Sequence, residues 1–182
     1  EWHRPRRLIQ MLPAEVIQNE PEILMIEAWS LIGFPEMNPV LGDIETLMHA
    51  TAKDYPQGSK LWGEFWALRS LQSYLDTDGR KALQQATKAL DCLPVDNGSE
   101  RGFAIIMQTV SNQMIGELKL GQDLVLNALR ENKTKDSTYH ARLLSALCFG
   151  YWMDGALKNL QQTTAVYLEI GQKTNLLETI AH

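Results

Sequence analysis

The apolar residues of this chain recur at the spacing of an α-helix along most of its length, and this period constrains the fold more than any other feature. Two sets show it most clearly, each falling on one helix face: Leu83, Ala86, Ala89, Leu90 and Leu93, and then Phe103, Ile106, Met107, Val110, Met114 and Leu118. No sustained alternation of apolar and polar residues, which would indicate strands, stands between turn residues. We therefore predict an all-α fold.

Short segments containing proline, glycine, asparagine or aspartate interrupt this helical pattern. The clearest lie at residues 55–58, 76–79, 94–98, 132–137 and 154–155. They divide the chain into N-terminal helices over residues 1–59 and three helical hairpins at 60–94, 100–133 and 137–171. Residues 174–182 would begin a further, truncated repeat, so we predict one helical-repeat domain over residues 1–182.

Weak internal repetition accompanies the hairpins. Ala89-Leu90 recurs as Ala128-Leu129, and 128 − 89 = 39. Residues 83–85 (Leu-Gln-Gln) recur at 160–162, and 160 − 83 = 77, which is close to twice the first step. Steps of this size are typical of proteins built from stacked two-helix repeats.

The first hairpin resembles a lengthened tetratricopeptide repeat. Ala82, Ala86, Ala89 and Pro94 match the spacing of that repeat's second helix, and Trp66 matches the aromatic position of its first helix. In such repeats small alanines let the two helices of a hairpin approach closely. The resemblance implies a right-handed superhelix (solenoid) of tetratricopeptide-like helical hairpins.

Residues 12–31 carry a more specific resemblance. They contain Leu12-Pro13, then Ile17, then Pro21-Glu22-Ile23-Leu24, then Ala28-Trp29. This order is similar to the start of the superhelical domain in MalT-like, LuxR-type transcriptional regulators of the STAND class (signal-transducing ATPases with numerous domains). The resemblance implies the middle part of a longer regulator, between an ATPase module and a DNA-binding helix-turn-helix, where an inducer or a protein partner is sensed.

The tetratricopeptide resemblance also implies a ligand groove lined by the first helix of each hairpin. Its slots fall on Glu64, Leu71 and Tyr74, then Phe103, Val110 and Gln113, then Tyr151 and Trp152. Aromatic faces mixed with Glu and Gln would suit a small polar ligand or a peptide. The alternative is that the aromatic side chains only fill space between stacked hairpins.

Nothing in the sequence indicates catalysis. His3, His49, His140 and His182 have no carboxylate or second histidine three or four residues later, as a helical zinc site requires. Asp76 and Asp78 are expected to be turn and capping residues, while Cys92 and Cys148 are expected to be small core residues. We therefore predict no enzyme activity, metal or cofactor for this chain.

Charge and hydropathy argue against a nucleic-acid-binding or a membrane-spanning protein. The net charge is −5, and residues 13–59 hold eight acids against one base, so we expect no direct contact with nucleic acid. No apolar run approaches the roughly 18 residues of a membrane span. With two cysteines and no secretory leader pattern, the chain is expected to be cytoplasmic.

Two functions remain open at this point. The first is the sensor or protein-interaction domain of a MalT-like regulator, which also contacts other modules of the same chain. Arg4, Arg6 and Arg7 are either a solvated helix end or a surface that packs against the ATPase module. The alternative is a free-standing tetratricopeptide adaptor that binds peptide segments, which a basic groove would favour; an all-α enzyme would need a pocket of convergent polar groups. We also expect self-association through exposed repeat ends.

Overall fold

The structure, a computed structural model, describes residues 7–9, 11–133 and 137–174. Over these residues the protein is all-helical and contains no strand, which confirms the all-α part of the prediction. The helices whose bounds fall within the described part of the chain are α1 (Ala14–Asn19), α2 (Pro21–Ser30), α3 (Met37–Ala50), α4 (Lys60–Leu75), α5 (Gly79–Cys92), α6 (Gly98–Met114), α7 (Leu118–Glu131), α8 (Thr138–Met153) and α9 (Leu157–Thr174).

The loops that join α4 to α5, α6 to α7 and α8 to α9 have the same geometry. Each contains one residue with positive φ: Thr77 (63°), Gly116 (89°) and Gly155 (69°). In each loop the next residue donates its backbone N–H to the carbonyl five residues earlier, at 2.9, 2.7 and 3.0 Å. This is the Schellman arrangement, which uses otherwise unpaired carbonyls at a helix C-terminus.

The three loops fix the length of the repeat. The positive-φ residues give 116 − 77 = 39 and 155 − 116 = 39, and α5, α7 and α9 begin at the same spacing. The match between Ala89-Leu90 and Ala128-Leu129 is therefore in register. The match between residues 83–85 and 160–162 is one residue out of register, because Leu160 takes the inward position that Ala82 occupies on α5.

Small side chains allow the close packing of α4 on α5. Ala82, Ala86 and Ala89 are fully buried on α5, at the positions that the tetratricopeptide resemblance marks as close-approach slots. On α4, a Cβ added to Gly63 would lie 2.7 Å from Cγ of Leu93, which is closer than carbon atoms normally approach. Two larger side chains at this crossing would force the helices apart.

Helix packing continues from one hairpin to the next. Within hairpins, α4 contacts α5, α6 contacts α7 and α8 contacts α9. Between neighbours, α2 contacts α4, α4 contacts α6, and α6 contacts α8; we refer to these four helices as the first-helix row. Leu90 on α5 packs against both buried apolar clusters, one centred on Phe65 and Leu68 and the other on Val125 and Leu143.

Several sequence-based boundaries can be compared with these helices. Asp78 caps α5, since its side chain accepts a hydrogen bond from the Lys81 backbone N–H at 3.0 Å, as expected. The third hairpin is predicted to end near Gly171, and α9 continues three residues further, to Thr174. Arg4, Arg6 and residues 175–182 lie outside the described residues, and no described helix is long and apolar enough to cross a membrane.

The equivalent loops predict opposite effects for reciprocal substitutions. A β-branched residue in the left-handed region costs roughly 1–2 kcal/mol, so Thr77→Gly should raise the free energy of unfolding by about 0.5–1 kcal/mol after the entropy that glycine adds to the unfolded chain. Gly116→Thr should lower it by about 1–2 kcal/mol. Urea unfolding of both variants measures this, and destabilisation by Thr77→Gly would contradict the shared loop geometry.

Candidate functional site

One position on each of three successive hairpins faces the same side of the first-helix row. Glu64, Phe103 and Arg142 stand on α4, α6 and α8, and 103 − 64 = 39 while 142 − 103 = 39. Each follows a buried small residue of its helix. The structural repeat therefore places an acid, an aromatic ring and a base at equivalent positions.

A cavity of about 410 Å³ opens beside these residues, between α2, α4, α6 and α8. We name it the four-helix pocket. It is lined by Met25, Ile26, Leu61, Trp29 and Ser99 together with five charged residues, Glu22, Lys60, Glu64, Glu100 and Arg142. An apolar wall with a few charged groups is the usual composition of a small-molecule site.

Trp29 connects α2 to the hairpins at the edge of this pocket. Its indole Nε1 donates a hydrogen bond of 2.9 Å to Oε2 of Glu64 on α4. Its ring meets the ring of Phe103 edge-on, with the centroids 5.2 Å apart and the planes at 80°. One side chain thus fixes α2 against both α4 and α6 by a polar and an aromatic contact.

Glu64 is a carboxylate in a largely apolar setting, with 8% of its surface exposed. Burial raises the pKa of the Glu64 carboxyl, and the hydrogen bond from Trp29 and the charge of Lys60 offset only part of that rise. Nζ of Lys60 lies 3.4 Å from Oε1, at the solvent side of the pocket. The second carboxylate oxygen is held inside by Trp29.

Arg142 stands at the third equivalent position and is half-buried. Its Cβ and Cγ lie against Gly102 of α6, where an added methyl group would overlap them. Burial lowers the pKa of its guanidinium, and Tyr167 and Glu100 act in the opposite direction. Among the described residues the side chain of Arg142 has neither a hydrogen bond nor an ion pair, which is unusual for a partly desolvated cation.

The acids at the rim differ in their contacts. Oε2 of Glu22 accepts a hydrogen bond of 2.7 Å from the hydroxyl of Tyr55, and this bond, with the nearby negative charges, raises the pKa of Tyr55 to about 12. Glu100, in the first turn of α6, is half-buried. Within the described part of the chain Glu100 has no hydrogen-bond or ion-pair partner, so it is open to a ligand.

The other residues of the predicted groove lie elsewhere. Tyr74, Leu71 and Val110 belong to the first apolar cluster or pack against it, and Tyr151 packs against the second. Gln113 is half-buried near the end of α6, and Trp152 is 60% exposed near the end of α8. Of the predicted groove residues, Glu64 and Phe103 are the two that meet beside the four-helix pocket, both in contact with Trp29.

Sequence reasoning missed Arg142 although the signal was present. The slots on the first two hairpins follow the 39-residue step, since 103 − 64 = 39, 110 − 71 = 39 and 113 − 74 = 39. The same step leads to Arg142, Phe149 and Trp152 on the third hairpin, whereas the predicted slots there are Tyr151 and Trp152. The predicted slots contain no lysine or arginine, whereas the four-helix pocket contains Lys60 and Arg142.

Two other cavities are weaker candidates for a ligand-binding site. One, of about 400 Å³ beside α3, α4 and α5, contains Trp62 and Trp66, but Nζ of Lys88 lies 4.6 Å from the centre of the Trp66 ring and covers it. These rings fill space between helices. The larger cavity, of about 720 Å³, borders residues 133 and 137, next to a stretch outside the described residues.

The described residues contain no cluster of three or more histidine, cysteine, aspartate or glutamate side chains that could hold a metal ion. Cys92 and Cys148 are free thiols, and they are half-buried rather than fully enclosed as core residues would be. Comparisons of the chain with protein-family models, with curated proteins and with solved structures give no match. Any proposal about function therefore starts from the residues of the four-helix pocket.

The Trp29–Glu64 hydrogen bond can be tested by removing its donor. Trp29→Phe keeps an aromatic ring but leaves a buried carboxylate without its indole partner, so the free energy of unfolding should fall by about 2 kcal/mol. Trp152→Phe is the matched control on an exposed ring and should change it by less than about 0.5 kcal/mol. Equal effects of the two substitutions in urea unfolding would show that the buried bond does not stabilise the fold.

Glu64 also predicts a pH dependence. Its pKa is higher in the folded protein than in the unfolded chain, so protonation stabilises the fold; this contribution is complete below the unfolded pKa of about 4.3 and is lost as the pH rises through the folded value. Glu64→Gln lacks it. The unfolding free energy of Glu64→Gln relative to the wild type should therefore increase with rising pH, which urea unfolding at several pH values measures. A difference that decreases with pH would contradict the buried setting.

Proposed function

We propose that the chain is the sensor or protein-interaction domain of a LuxR-type, MalT-like, ATP-dependent transcriptional regulator, and that its effector or partner binds in the four-helix pocket. One observation carries this proposal. The segment with the MalT-like resemblance supplies Glu22, Met25, Ile26 and Trp29 to the pocket wall, and Trp29 bonds to buried Glu64 on the first hairpin. The most family-like residues thus meet the hairpins at the cavity.

The proposed architecture is a right-handed superhelix of tetratricopeptide-like hairpins. Three observations support it: the identical Schellman loops, their 39-residue spacing, and the contacts of each first helix with the next along the first-helix row. In such a stack each hairpin shelters the apolar face of its neighbour, so the stability of the array is a sum of local interfaces.

The proposed mechanism is a population shift. A ligand that touches α2, α4, α6 and α8 at once favours the arrangement of hairpins in which all four surfaces fit it. Moving a two-state switch from 1:99 to 99:1 requires about 5.5 kcal/mol of differential binding free energy. A separate ATPase module and a DNA-binding module of the same full-length protein would read this shift.

The proposal assigns this chain no catalysis, no cofactor, no direct nucleic acid contact and no membrane contact. It includes a cytoplasmic location. It also includes contacts with other modules of the regulator, and Arg4, Arg6 and exposed Arg7 are proposed to form part of that contact surface. It also includes self-association through the repeat ends. Val166 and Leu168 on α9, with 46% and 48% exposure, are candidates for that contact.

The presence of Arg142 in the pocket favours the alternative function, a free-standing adaptor for peptide segments. A guanidinium without a protein partner in the first-helix row is a suitable receptor for a peptide carboxylate. The sequences encoded before and after this chain in its reading frame would distinguish the two functions. The regulator requires a phosphate-loop ATPase encoded before it and a helix-turn-helix after it, and their absence would leave the adaptor.

Ligand binding at the pocket can be tested with a thermal-shift screen of sugars, amino acids and short peptides. A compound at 100 times its Kd stabilises a protein by about 2.7 kcal/mol, which raises the melting temperature in a concentration-dependent manner. Ile26→Arg should block the pocket, because Ile26 lines it and is 49% exposed. Leu120→Arg on α7, where Leu120 is 51% exposed, is the matched control.

We expect compounds that stabilise the wild type to lose their effect in Ile26→Arg and to keep it in Leu120→Arg. Stabilisation that survives in Ile26→Arg would mean that the ligand binds away from the four-helix pocket. A screen in which no compound of these three classes shifts the melting temperature would contradict small-molecule or peptide sensing by this cavity.

A further inference from the structure

Two opposite charges face the four-helix pocket without meeting. Arg142 on α8 and Glu100 on α6 both line the cavity and are close enough for Glu100 to raise the pKa of the guanidinium. No ion pair joins them, and neither has another ion-pair or hydrogen-bond partner among the residues that the structure describes. A ligand with one charge of each sign could satisfy both.

The stem of the Arg142 side chain is packed against α6. Its Cβ and Cγ lie against Gly102, where no Cβ intervenes, and Arg142 lines the pocket. A planar guanidinium presents parallel N–H donors that match the two oxygens of a carboxylate. Because the group is already partly desolvated, a carboxylate that reaches it recovers interaction energy without a large new desolvation cost.

The overall charge of the pocket limits the ligand further. Glu22, Glu64 and Glu100 stand against Lys60 and Arg142, and Lys60 is already engaged with Glu64. A second negative group on the ligand would meet excess negative charge, whereas an ammonium group would be attracted to Glu100. A ligand with one carboxylate and one ammonium group fits this balance.

The remaining wall is apolar. Met25, Ile26, Leu61 and Trp29 line the cavity, and Ile26 is 49% exposed. A volume of about 410 Å³ lies within the range of small-molecule sites. Burial of an apolar ligand group against these side chains would supply the non-directional part of the affinity.

We propose that the four-helix pocket binds a free amino acid with an apolar side chain, with its carboxylate on Arg142, its ammonium group on Glu100 and its side chain against Met25, Ile26 and Trp29. This assignment rests on the proposed function, since it names the effector class of the same cavity. The amino acid is bound and released unchanged, so no covalent step is involved.

Isothermal titration calorimetry of the 182-residue chain with L-leucine, L-methionine and L-phenylalanine tests the proposal. We expect saturable binding of at least one of them. Arg142→Gln and Glu100→Gln should each weaken it by about ten- to a hundredfold, the loss typical of a hydrogen bond to a charged group. Arg80→Gln and Glu117→Gln, on exposed residues outside the pocket, should leave it unchanged.

Two analogues test the assignment of each charge, here for leucine. Leucinamide lacks the carboxylate and N-acetyl-leucine lacks the ammonium group, so each should bind at least about tenfold more weakly than leucine to the wild type. In Arg142→Gln, leucine and leucinamide should bind equally. In Glu100→Gln, leucine and N-acetyl-leucine should bind equally, and this second variant keeps the test valid if Arg142→Gln does not fold.

Three outcomes would overturn the proposal: no saturable binding of any of the three amino acids at millimolar concentration, unchanged affinity in both charge variants, or N-acetyl-leucine binding as tightly as leucine. The last would indicate a peptide C-terminus as the ligand. The proposed function would survive these outcomes if a sugar or a peptide still stabilised the wild type but not Ile26→Arg. Conversely, amino-acid binding in a reading frame without ATPase and helix-turn-helix modules would support this inference and contradict the regulator.

Discussion

The hydrogen bond from Trp29 to Glu64 is the contact on which the arrangement of the four-helix pocket depends. It joins residues 35 positions apart and fixes α2 beside α4, while the same indole ring and the ring of Phe103 on α6 meet edge to face. A buried carboxylate without a donor is costly, so the contact specifies one position for the N-terminal helices. The cavity between α2, α4, α6 and α8 follows from that position.

The arrangement of the three hairpins depends on one type of loop, which occurs three times. A Schellman loop ends α4, α6 and α8 at equivalent residues, and each second helix then returns along its partner. Because the step between loops is constant, a given position of one hairpin reappears on the same side of the next. This is why Glu64, Phe103 and Arg142 share a surface, and why one substitution in a first helix can add a charged group to the pocket without a change in fold.

Sequence patterns were sufficient for the local part of this structure and insufficient for the tertiary part. The helical period, the cap at Asp78 and the small inward face of α5 depend on neighbouring residues, and all three were predicted. The contact between Trp29 and Glu64 depends on how α2 docks, which no local pattern encodes. Arg142, by contrast, follows from the repeat alone, since it lies 39 residues after Phe103, but the predicted slots on α8 are the aromatic residues Tyr151 and Trp152. The match between residues 83–85 and 160–162 (Leu-Gln-Gln) gives a repeat register that is wrong by one residue. Structurally equivalent positions on α5 and α9 need not hold similar side chains.

The most direct measurement is the NMR resonance of the Trp29 indole N–H, assigned by comparison with Trp29→Phe, through a pH titration. If the buried Glu64 carboxylate accepts a hydrogen bond from this N–H, the resonance should shift as the carboxyl titrates. The pH midpoint of the shift should lie above the ordinary pKa of a glutamate side chain, and the shift should vanish in Glu64→Gln. An indole resonance that does not change with pH, or that responds identically in Glu64→Gln, would contradict the contact and the pocket that it forms.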